Sequence, residues 1–314
     1  MKQKITVVIP AYNVAGQVIE VIRSIGKEIS EIIVVDDACP QQSGKKVKKL
    51  INDKRVKIIF NKSNMGVGGS MVTGYREALK SSPKYIVKID GDGQMDPNLI
   101  PLFLERLNQT GADYAKGNRF ANLENLSSMP KIRVFGNLFL SFFAKFSTGY
   151  WNIFDPNNGF TIIKSEALVR LPLNKISQRY FFESDMLFRL NLINAYVIDI
   201  PMQARYTTEQ SNLKISKSLI EFPLKHFKNF AKRITYNYFL RDFNFASLEL
   251  ILAVICLTTG IATGSWNLFY ALKTETSMSV GILVLVSILI LSGLQLLLNF
   301  FTYDMSSRVH NKSW

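Results

Sequence analysis

Asp90-Gly91-Asp92-Gly93-Gln94 is the segment whose residue types and spacing point most directly to chemistry. In extended chain, positions i, i+2 and i+4 face the same way, so Asp90, Asp92 and Gln94 would offer three oxygens to one cation. Two carboxylates and an amide suit Mg2+ or Mn2+, which keep water and substrate phosphate in their remaining positions. The plainer reading is an acidic, glycine-rich turn. A calcium EF-hand is excluded, because its sixth and twelfth positions, a glycine and a glutamate, are Met95 and Pro101 here. A second acidic pair, Asp36-Asp37, follows the apolar run Ile32-Ile33-Val34-Val35 and could serve a ligand or cap the next segment.

Other familiar chemistries are absent. Asn64-Met65-Gly66-Val67-Gly68-Gly69 invites a phosphate-loop reading, but no Gly-Lys-Ser/Thr ending follows and Met71 stands where the dinucleotide fingerprint needs its third glycine. A close approach of this backbone to a ligand or to a neighbouring chain remains open. His226 and His310 are the only histidines and lie away from both acidic pairs, which argues against histidine acid–base catalysis and histidine-bound metals. Cys39 and Cys256 cannot build a disulfide framework or a cysteine zinc site and fit a reducing compartment.

The acidic pairs need a scaffold, and the hydrophobic pattern supplies one. Strands are expected over Ile5–Ile9, Ile32–Val35, Val56–Phe60 and Tyr85–Ile89. Between them, helices are expected over Val14–Ile25, with Val14, Val18, Val21, Ile22 and Ile25 on one face, over the short basic segment Lys45–Ile51, and over Gly69–Lys80. This alternation predicts an α/β class with a Rossmann-like, mostly parallel sheet. Both acidic pairs then emerge at the C-terminal ends of strands, where open α/β sheets hold their ligands.

Several motifs in order carry a resemblance. Val8-Ile9-Pro10-Ala11-Tyr12-Asn13, Val34-Val35-Asp36-Asp37, Asn64-Met65-Gly66 and Asp90-Gly91-Asp92-Gly93-Gln94-Met95-Asp96-Pro97 resemble the family 2 glycosyltransferases with the GT-A fold. Gly117-Asn118-Arg119, Asp155-Pro156-Asn157-Asn158-Gly159-Phe160 and Phe182-Glu183-Ser184-Asp185-Met186-Leu187 resemble the branch of dolichyl-phosphate mannosyltransferases and bacterial polyprenyl-phosphate glycosyltransferases. The resemblance covers roughly residues 5 to 215. It implies that Pro10, Ala11, Tyr12, Asp37 and Asp90 bind the nucleoside-diphosphate sugar, and that Asp90, Asp92 and Gln94 hold the Mg2+ or Mn2+ that bridges its diphosphate. It implies further that Arg119, Arg133 and Arg205 receive the phosphate of a polyprenyl acceptor, guanidinium being suited to binding two phosphate oxygens at once. Glu183 and Asp185 fall on the acceptor side of the sugar, with Asp92 as the other catalytic carboxylate. If the acceptor is a sugar hydroxyl, Asp185 is the expected base; a phosphate acceptor is already ionised and needs none. Helix capping and salt bridging are the alternative for the Glu183/Asp185 pair. The chain departs from the pattern at Ala38-Cys39-Pro40-Gln41-Gln42-Ser43 and at Arg205-Tyr206-Thr207-Thr208-Glu209-Gln210-Ser211-Asn212-Leu213-Lys214, where Lys214 takes the place of the usual terminal basic residue.

Composition divides the chain in two. The 314 residues hold 38 Lys+Arg against 24 Asp+Glu, a formal charge of +14, and a mean hydropathy of +0.10. That balance excludes a disordered chain and is greasy for a soluble enzyme. From Phe245 to Tyr303 only Glu249, Lys273 and Glu275 are charged. Residues 246–268 and 278–302 are each long and apolar enough to span a bilayer, joined by the polar Lys273-Thr274-Glu275-Thr276-Ser277 as a hairpin. Arg205, Lys214, Lys217, Lys225, Lys228, Lys232, Arg233 and Arg241, against Glu209 and Glu221, precede the first span and make that side cytoplasmic by the positive-inside rule. Leu219, Phe222, Phe227, Phe230, Ile234 and Tyr238, interleaved with lysines, read as an amphipathic helix on an anionic membrane surface or, alternatively, as a helix packed on the domain. Met1-Lys2-Gln3-Lys4 leads into too short an apolar run for a signal peptide.

The expected organisation is a catalytic domain over 1–216, a juxtamembrane segment over 217–244, a transmembrane hairpin over 245–303 and a cytoplasmic tail over 304–314. The expected enzyme is an inverting, membrane-bound transferase serving cell-surface glycan synthesis, multi-pass in the cytoplasmic membrane with both termini inside. A nucleic-acid partner is not expected, since no recognition motif accompanies the basic charge; a homo-oligomer is compatible with the sequence.

Overall fold

The computed structural model describes residues 3–121, 131–203 and 215–306 and divides into two compact units, Met1–Phe230 and Ala231–Trp314. In the first unit the strands are β1 (Ile5–Ala11), β2 (Glu31–Asp36), β3 (Val56–Phe60), β4 (Tyr85–Lys88), β5 (Tyr114–Asn118), β6 (Thr161–Lys164) and β7 (Val197–Pro201). They form one sheet in the order β3-β2-β1-β4-β6-β5-β7. Pairing is parallel except where β6 lies between β4 and β5, antiparallel to both. The expected α/β class and mostly parallel sheet are therefore borne out.

Strand alternation creates two cores. Val7 and Ile9 point to one face and pack with Val18, Ile22, Phe103 and Phe160; Val8 points to the other and packs with Met71, Tyr75, Phe182 and Met186. The first face is covered by α1 (Gln17–Ser24) and α4 (Ile100–Thr110), the second by α3 (Gly66–Lys80) and, after α5 (Lys131–Thr148) and α6 (Ser165–Val169), by α7 (Phe182–Leu192). Burial of these apolar faces, at about 25 cal/mol per Å2, is the main stabilising contribution.

Helix ends differ from the sequence expectation for identifiable reasons. The first helix begins at Gln17 rather than Val14, because Asn13 takes a left-handed φ of 58°. α2 (Ser43–Leu50) begins before Lys45, where Asp36 accepts hydrogen bonds from the Cys39 and Gly44 amides at 2.8 and 2.6 Å. α3 begins at Gly66 rather than Gly69, because Asp37 accepts from the Met65 and Gly66 amides at 2.9 and 2.7 Å. The acidic pair thus caps two successive helices.

α8 (Ile215–Thr235) carries the basic, apolar pattern. Its Phe222 and His226 are buried against the Phe181 ring, and His226 Nδ1 lies 2.7 Å from Ser147 Oγ. Burial pushes the His226 imidazole down to about 4, so it packs in the neutral form. Leu224 and Phe227, beside Lys228, remain on the exposed face.

In the second unit, α9 (Phe245–Thr274) and α10 (Val280–Ser306) are long and apolar enough to cross a membrane, with mean hydropathies of 2.1 and 2.6. They run antiparallel. A Cβ at Gly293 would lie 2.7 Å from Leu257 Cγ, and one at Gly260 would lie 3.1 Å from Ile290 Cγ1, so small residues allow the close approach. Arg233, expected in the lipid-facing basic collar, is instead fully buried: it donates to both Asp304 oxygens at 2.6 and 2.9 Å, and Tyr238 Oη donates to the same carboxylate at 2.7 Å. A carboxylate buried at the end of an apolar helix requires such a partner.

Candidate active site

The register aligns a polar row across the sheet. Val8 pairs with Lys88, Lys88 with Thr161, Thr161 with Lys116 and Lys116 with Asp199. Directly paired residues share a face, so the two lysines, the threonine and the aspartate all point to the side covered by α3 and α7. Both lysines are completely buried. Lys88 Nζ donates to Asp90 Oδ1 at 2.7 Å and to the Gly159 carbonyl at 3.1 Å, and lies 3.2 Å from Glu183 Oε1 on the first turn of α7. Burial alone would push the Lys88 ammonium down, but the Asp90 and Glu183 carboxylates hold it above the ordinary lysine value. Lys116 donates to the Asn158 carbonyl, and burial pushes its ammonium down to about 8.

The 90–94 segment does not continue the strand. β4 ends at Lys88, residues 91–93 form a turn, and Gly93 has φ +76°. Asp92 Oδ1 accepts from the Gln94 amide at 3.0 Å, which closes the turn and replaces the extended register expected for Asp90, Asp92 and Gln94. Among the described residues no group of three His, Cys, Asp or Glu side chains could hold a metal. The set that remains, two carboxylates and an amide in one turn, fits a cation that takes its other ligands from water and substrate phosphate.

The neighbouring segments close around this turn. A Cβ at Gly91 would lie 3.4 Å from the Pro10 carbonyl, so the Pro10-Ala11-Tyr12 end of β1 borders the Asp90–Asp92 turn; Tyr12 is exposed there and Ala11 is buried. Asp37 is also buried, accepting from Asn61 Nδ2 at 2.8 Å as well as from the start of α3. At Gly159 a Cβ would fall 2.1 Å from Asp90 Oδ2, so only glycine leaves room for that carboxylate. The glycines after Asn64 serve packing: the Gly69 amide donates to the Gln178 carbonyl at 2.9 Å, and a Cβ at Gly68 would lie 2.1 Å from the Ser177 carbonyl oxygen. The close approach of backbone here is made to the 177–178 segment of the same chain.

The Glu183/Asp185 pair divides. Glu183 faces Lys88, whereas Asp185 is buried and accepts from the Ser177 amide at 2.8 Å, Arg189 Nε at 2.9 Å and Asn229 Nδ2 at 3.2 Å. The Asp185 carboxylate therefore meets structural donors, which is the salt-bridging alternative for this residue. Arg119 is held in a two-pronged pair, Nε and Nη2 donating to Asp155 Oδ2 and Oδ1 at 2.7 and 3.0 Å. Asn158 Nδ2 donates to the same Asp155, so the 155–159 loop links Arg119 to both buried lysines. Arg133 lies in α5, but its side chain is outside the described residues, as are Arg205 and Lys214 altogether.

The profile of Glycosyl transferase family 2 matches residues 6–171, more than half of the chain. The chain belongs to glycosyl transferase family 2. A UDP-N-acetylglucosamine–dolichyl-phosphate N-acetylglucosaminyltransferase of Methanococcus voltae is 27% identical to it over 234 residues, covering 70% of this chain and 92% of that protein. An undecaprenyl-phosphate mannosyltransferase of Micrococcus luteus is 26% identical over 175 residues, covering 55% and 71%. Among solved structures, glucosyl-3-phosphoglycerate synthase of Mycobacterium tuberculosis, in complex with Mn2+, uridine diphosphate and glucosyl-3-phosphoglycerate, is similar with a TM-score of 0.54 at 18% identity. The match covers 74% of this chain and 80% of that one and bears out the expected GT-A fold.

Sequence reasoning about this family 2 glycosyltransferase passed over Lys88, Lys116 and Asp199. Their signal was legible: a lysine within each of Tyr85-Ile86-Val87-Lys88 and Tyr114-Ala115-Lys116, and an aspartate within Val197-Ile198-Asp199-Ile200, strands otherwise built for burial. Asp199 accepts from Asn118 Nδ2 and the Phe154 amide at 3.0 and 2.9 Å, while its buried Oδ1 has no hydrogen-bond partner among the described residues.

Two predictions arise from these placements. Burial raises the Asp199 carboxyl from 3.8 to about 6, so the folded state retains its proton longer than the unfolded state and ionisation lowers stability as pH rises through that window. In urea unfolding, Asp199→Asn minus wild type should therefore climb by about 2–3 kcal/mol between pH 4 and 6 and level off above pH 7; a pH-independent difference would contradict it. Asp185→Asn should cost about 3 kcal/mol in the same assay by breaking the buried pair with Arg189, without altering the pH profile of turnover.

Proposed function

We propose that this chain is an inverting, Mg2+- or Mn2+-dependent glycosyltransferase that moves a sugar from a nucleoside-diphosphate donor to polyprenyl phosphate. We further propose that it works at the cytoplasmic membrane face in cell-surface glycan synthesis. The observation that carries the reading is the turn bearing Asp90, Asp92 and Gln94 at the C-terminal edge of the sheet, backed by Lys88 and Glu183. The activities named for the Methanococcus and Micrococcus relatives support the acceptor class, and the two long apolar helices support a lipid acceptor.

In this reading Asp90, Asp92 and Gln94 hold the divalent cation, which when bound offsets the charge that develops on the departing nucleoside diphosphate. Pro10, Ala11, Tyr12 and Asp37 bound the nucleotide end. Lys88 keeps Asp90 and Glu183 at fixed separation from one buried ammonium, and Gly159 leaves space for Asp90. Arg119, oriented by Asp155, presents its guanidinium to the acceptor phosphate, with Arg133, Arg205 and Lys214 as further cations. A phosphate acceptor is already ionised and needs no base, which agrees with an Asp185 engaged by Ser177, Arg189 and Asn229. The catalytic part would extend over 1–216, the juxtamembrane segment over 217–244 and the hairpin over 245–303, with both termini in the cytoplasm. The exposed Leu224, Phe227 and Lys228 then rest on anionic lipid.

Membranes containing the chain, given a panel of radiolabelled nucleotide sugars, should form an acid-labile lipid-linked monosaccharide only with added Mg2+ or Mn2+. Label in an acid-stable, extended glycan would replace this reading with transfer to a saccharide hydroxyl.

A further inference from the structure

We propose that α10 carries a second packing seam, formed by Ser292, Gln295, Asn299, Thr302 and Ser306, through which the apolar hairpin pairs with a second copy of this chain. These residues recur at alternating intervals of three and four, the spacing of a continuous helix–helix seam. They lie away from the hairpin's own contact. At 100° per residue their stripe is centred roughly 140° around α10 from Gly293, Phe300 and Asp304, the residues buried in this helix. All five side chains are exposed.

Depth makes that exposure costly for the two amides. Relative to the middle of a 278–302 span, Gln295 lies about 7 Å and Asn299 about 14 Å along the axis, within a hydrocarbon half-thickness of about 15 Å. Lipid tails supply no hydrogen bonds. Gln295 Nε2 donates to Asn299 Oδ1 at 3.1 Å, which uses one donor and one acceptor and leaves the rest of both amides unanswered by that bond.

The chemistry of the stripe selects the occupant. Copies of one chain share an orientation in the bilayer, so α10 would meet α10 in parallel, and a two-fold axis along the membrane normal brings each residue against its own counterpart. Like can then satisfy like only if each side chain both donates and accepts. Glutamine and asparagine do so, whereas a carboxylate or ammonium would repel its twin; the Thr302 and Ser306 hydroxyls donate to the Leu298 and Tyr303 carbonyls of their own helix at 2.9 and 3.2 Å and join the seam as acceptors. The one charged side chain of the region on α10, Asp304, is turned away into its pair with Arg233. Alternating three–four spacing further predicts a shallow crossing of about 20°.

The inference rests on the hairpin spanning a membrane, and the test separates the two. Full-length chain bearing Cys256→Ala and either Ser292→Cys on the seam or Leu294→Cys off it is oxidised with copper phenanthroline in native membranes. A disulfide-linked homodimer is expected from Ser292→Cys at several times the yield of Leu294→Cys. Adding Gln295→Leu and Asn299→Leu, which make the span more apolar and so preserve insertion, should reduce the Ser292→Cys cross-link about tenfold; Asn299→Gln, which keeps an amide, should largely retain it. Equal yields at both positions, no dimer, or cross-links only to a different protein overturn the seam while alkaline carbonate still leaves the chain in the membrane. Release by carbonate overturns the spanning assignment and the seam with it.

Discussion

Replacing Lys88 with methionine is expected to lower stability by about 3–5 kcal/mol and turnover by about 10^2-fold. The side chain is completely buried and spans Asp90 and Glu183 at 2.7 and 3.2 Å, so methionine fills much of the volume but leaves two carboxylates facing each other without the cation between them. Removing one member of a buried ionic cluster costs far more than the cluster contributes net, because the remaining charges have already lost their water. Activity should fall separately, since Asp90 loses the contact that sets its position beside Asp92 and a shift near 1 Å is enough for a loss of that size. Lys88→Arg keeps the charge but brings a larger, planar head into a fully enclosed site; it should recover part of the stability and little of the turnover. Guanidinium unfolding and sugar transfer, measured on the same preparations, check both. A Lys88→Met protein with wild-type stability would show that the bridge carries no net load.

The distinction between what was and was not legible in the sequence follows this residue closely. The four leading strands and the C-terminal-edge position of both acidic pairs depend on local apolar runs, and β1 to β4 form where those runs lie. The insertion of β6 antiparallel between β4 and β5 depends on pairing across distant segments, such as Ile86 with Ile163, which no local pattern carries. The same limit applies to the site. The Asp90-x-Asp92 spacing was visible, but its geometry was not, because a hydrogen bond from the Gln94 amide to Asp92 folds the segment into a turn. The resemblance gives Asp185 the base's role only for a hydroxyl acceptor; the hydrogen bonds it accepts from Ser177 and from Asn229, 44 positions on, join segments that no local pattern brings together. Lys88 was overlooked although a lysine inside a buried strand is itself the signal, since its meaning needs Glu183 brought across from α7.

Asp92→Asn is expected to lower turnover by about 10^2- to 10^3-fold while leaving the fold unchanged, the opposite balance to Lys88→Met. The hydrogen bond that Asp92 Oδ1 accepts from the Gln94 amide can equally be accepted by an asparagine carbonyl oxygen, so the turn at 91–93 should persist. What the substitution removes is negative charge. If Asp92 serves as a ligand to the divalent cation, the loss appears in two independent measurements. Mn2+ binding, followed by the electron paramagnetic resonance of the free ion, should weaken about tenfold or more, and excess Mn2+ should restore only part of the sugar transfer. Melting temperature should stay within a degree or two of wild type, because the side chain sits in a half-exposed turn rather than in a core. On the proposed reading the two variants divide the site into its parts: Lys88, which bridges Asp90 and Glu183, holds the carboxylates in place, and Asp92 would act on the bound cation. Unchanged Mn2+ affinity and unchanged turnover in Asp92→Asn would remove the metal from this turn and leave it the acidic, glycine-rich loop that its composition alone describes.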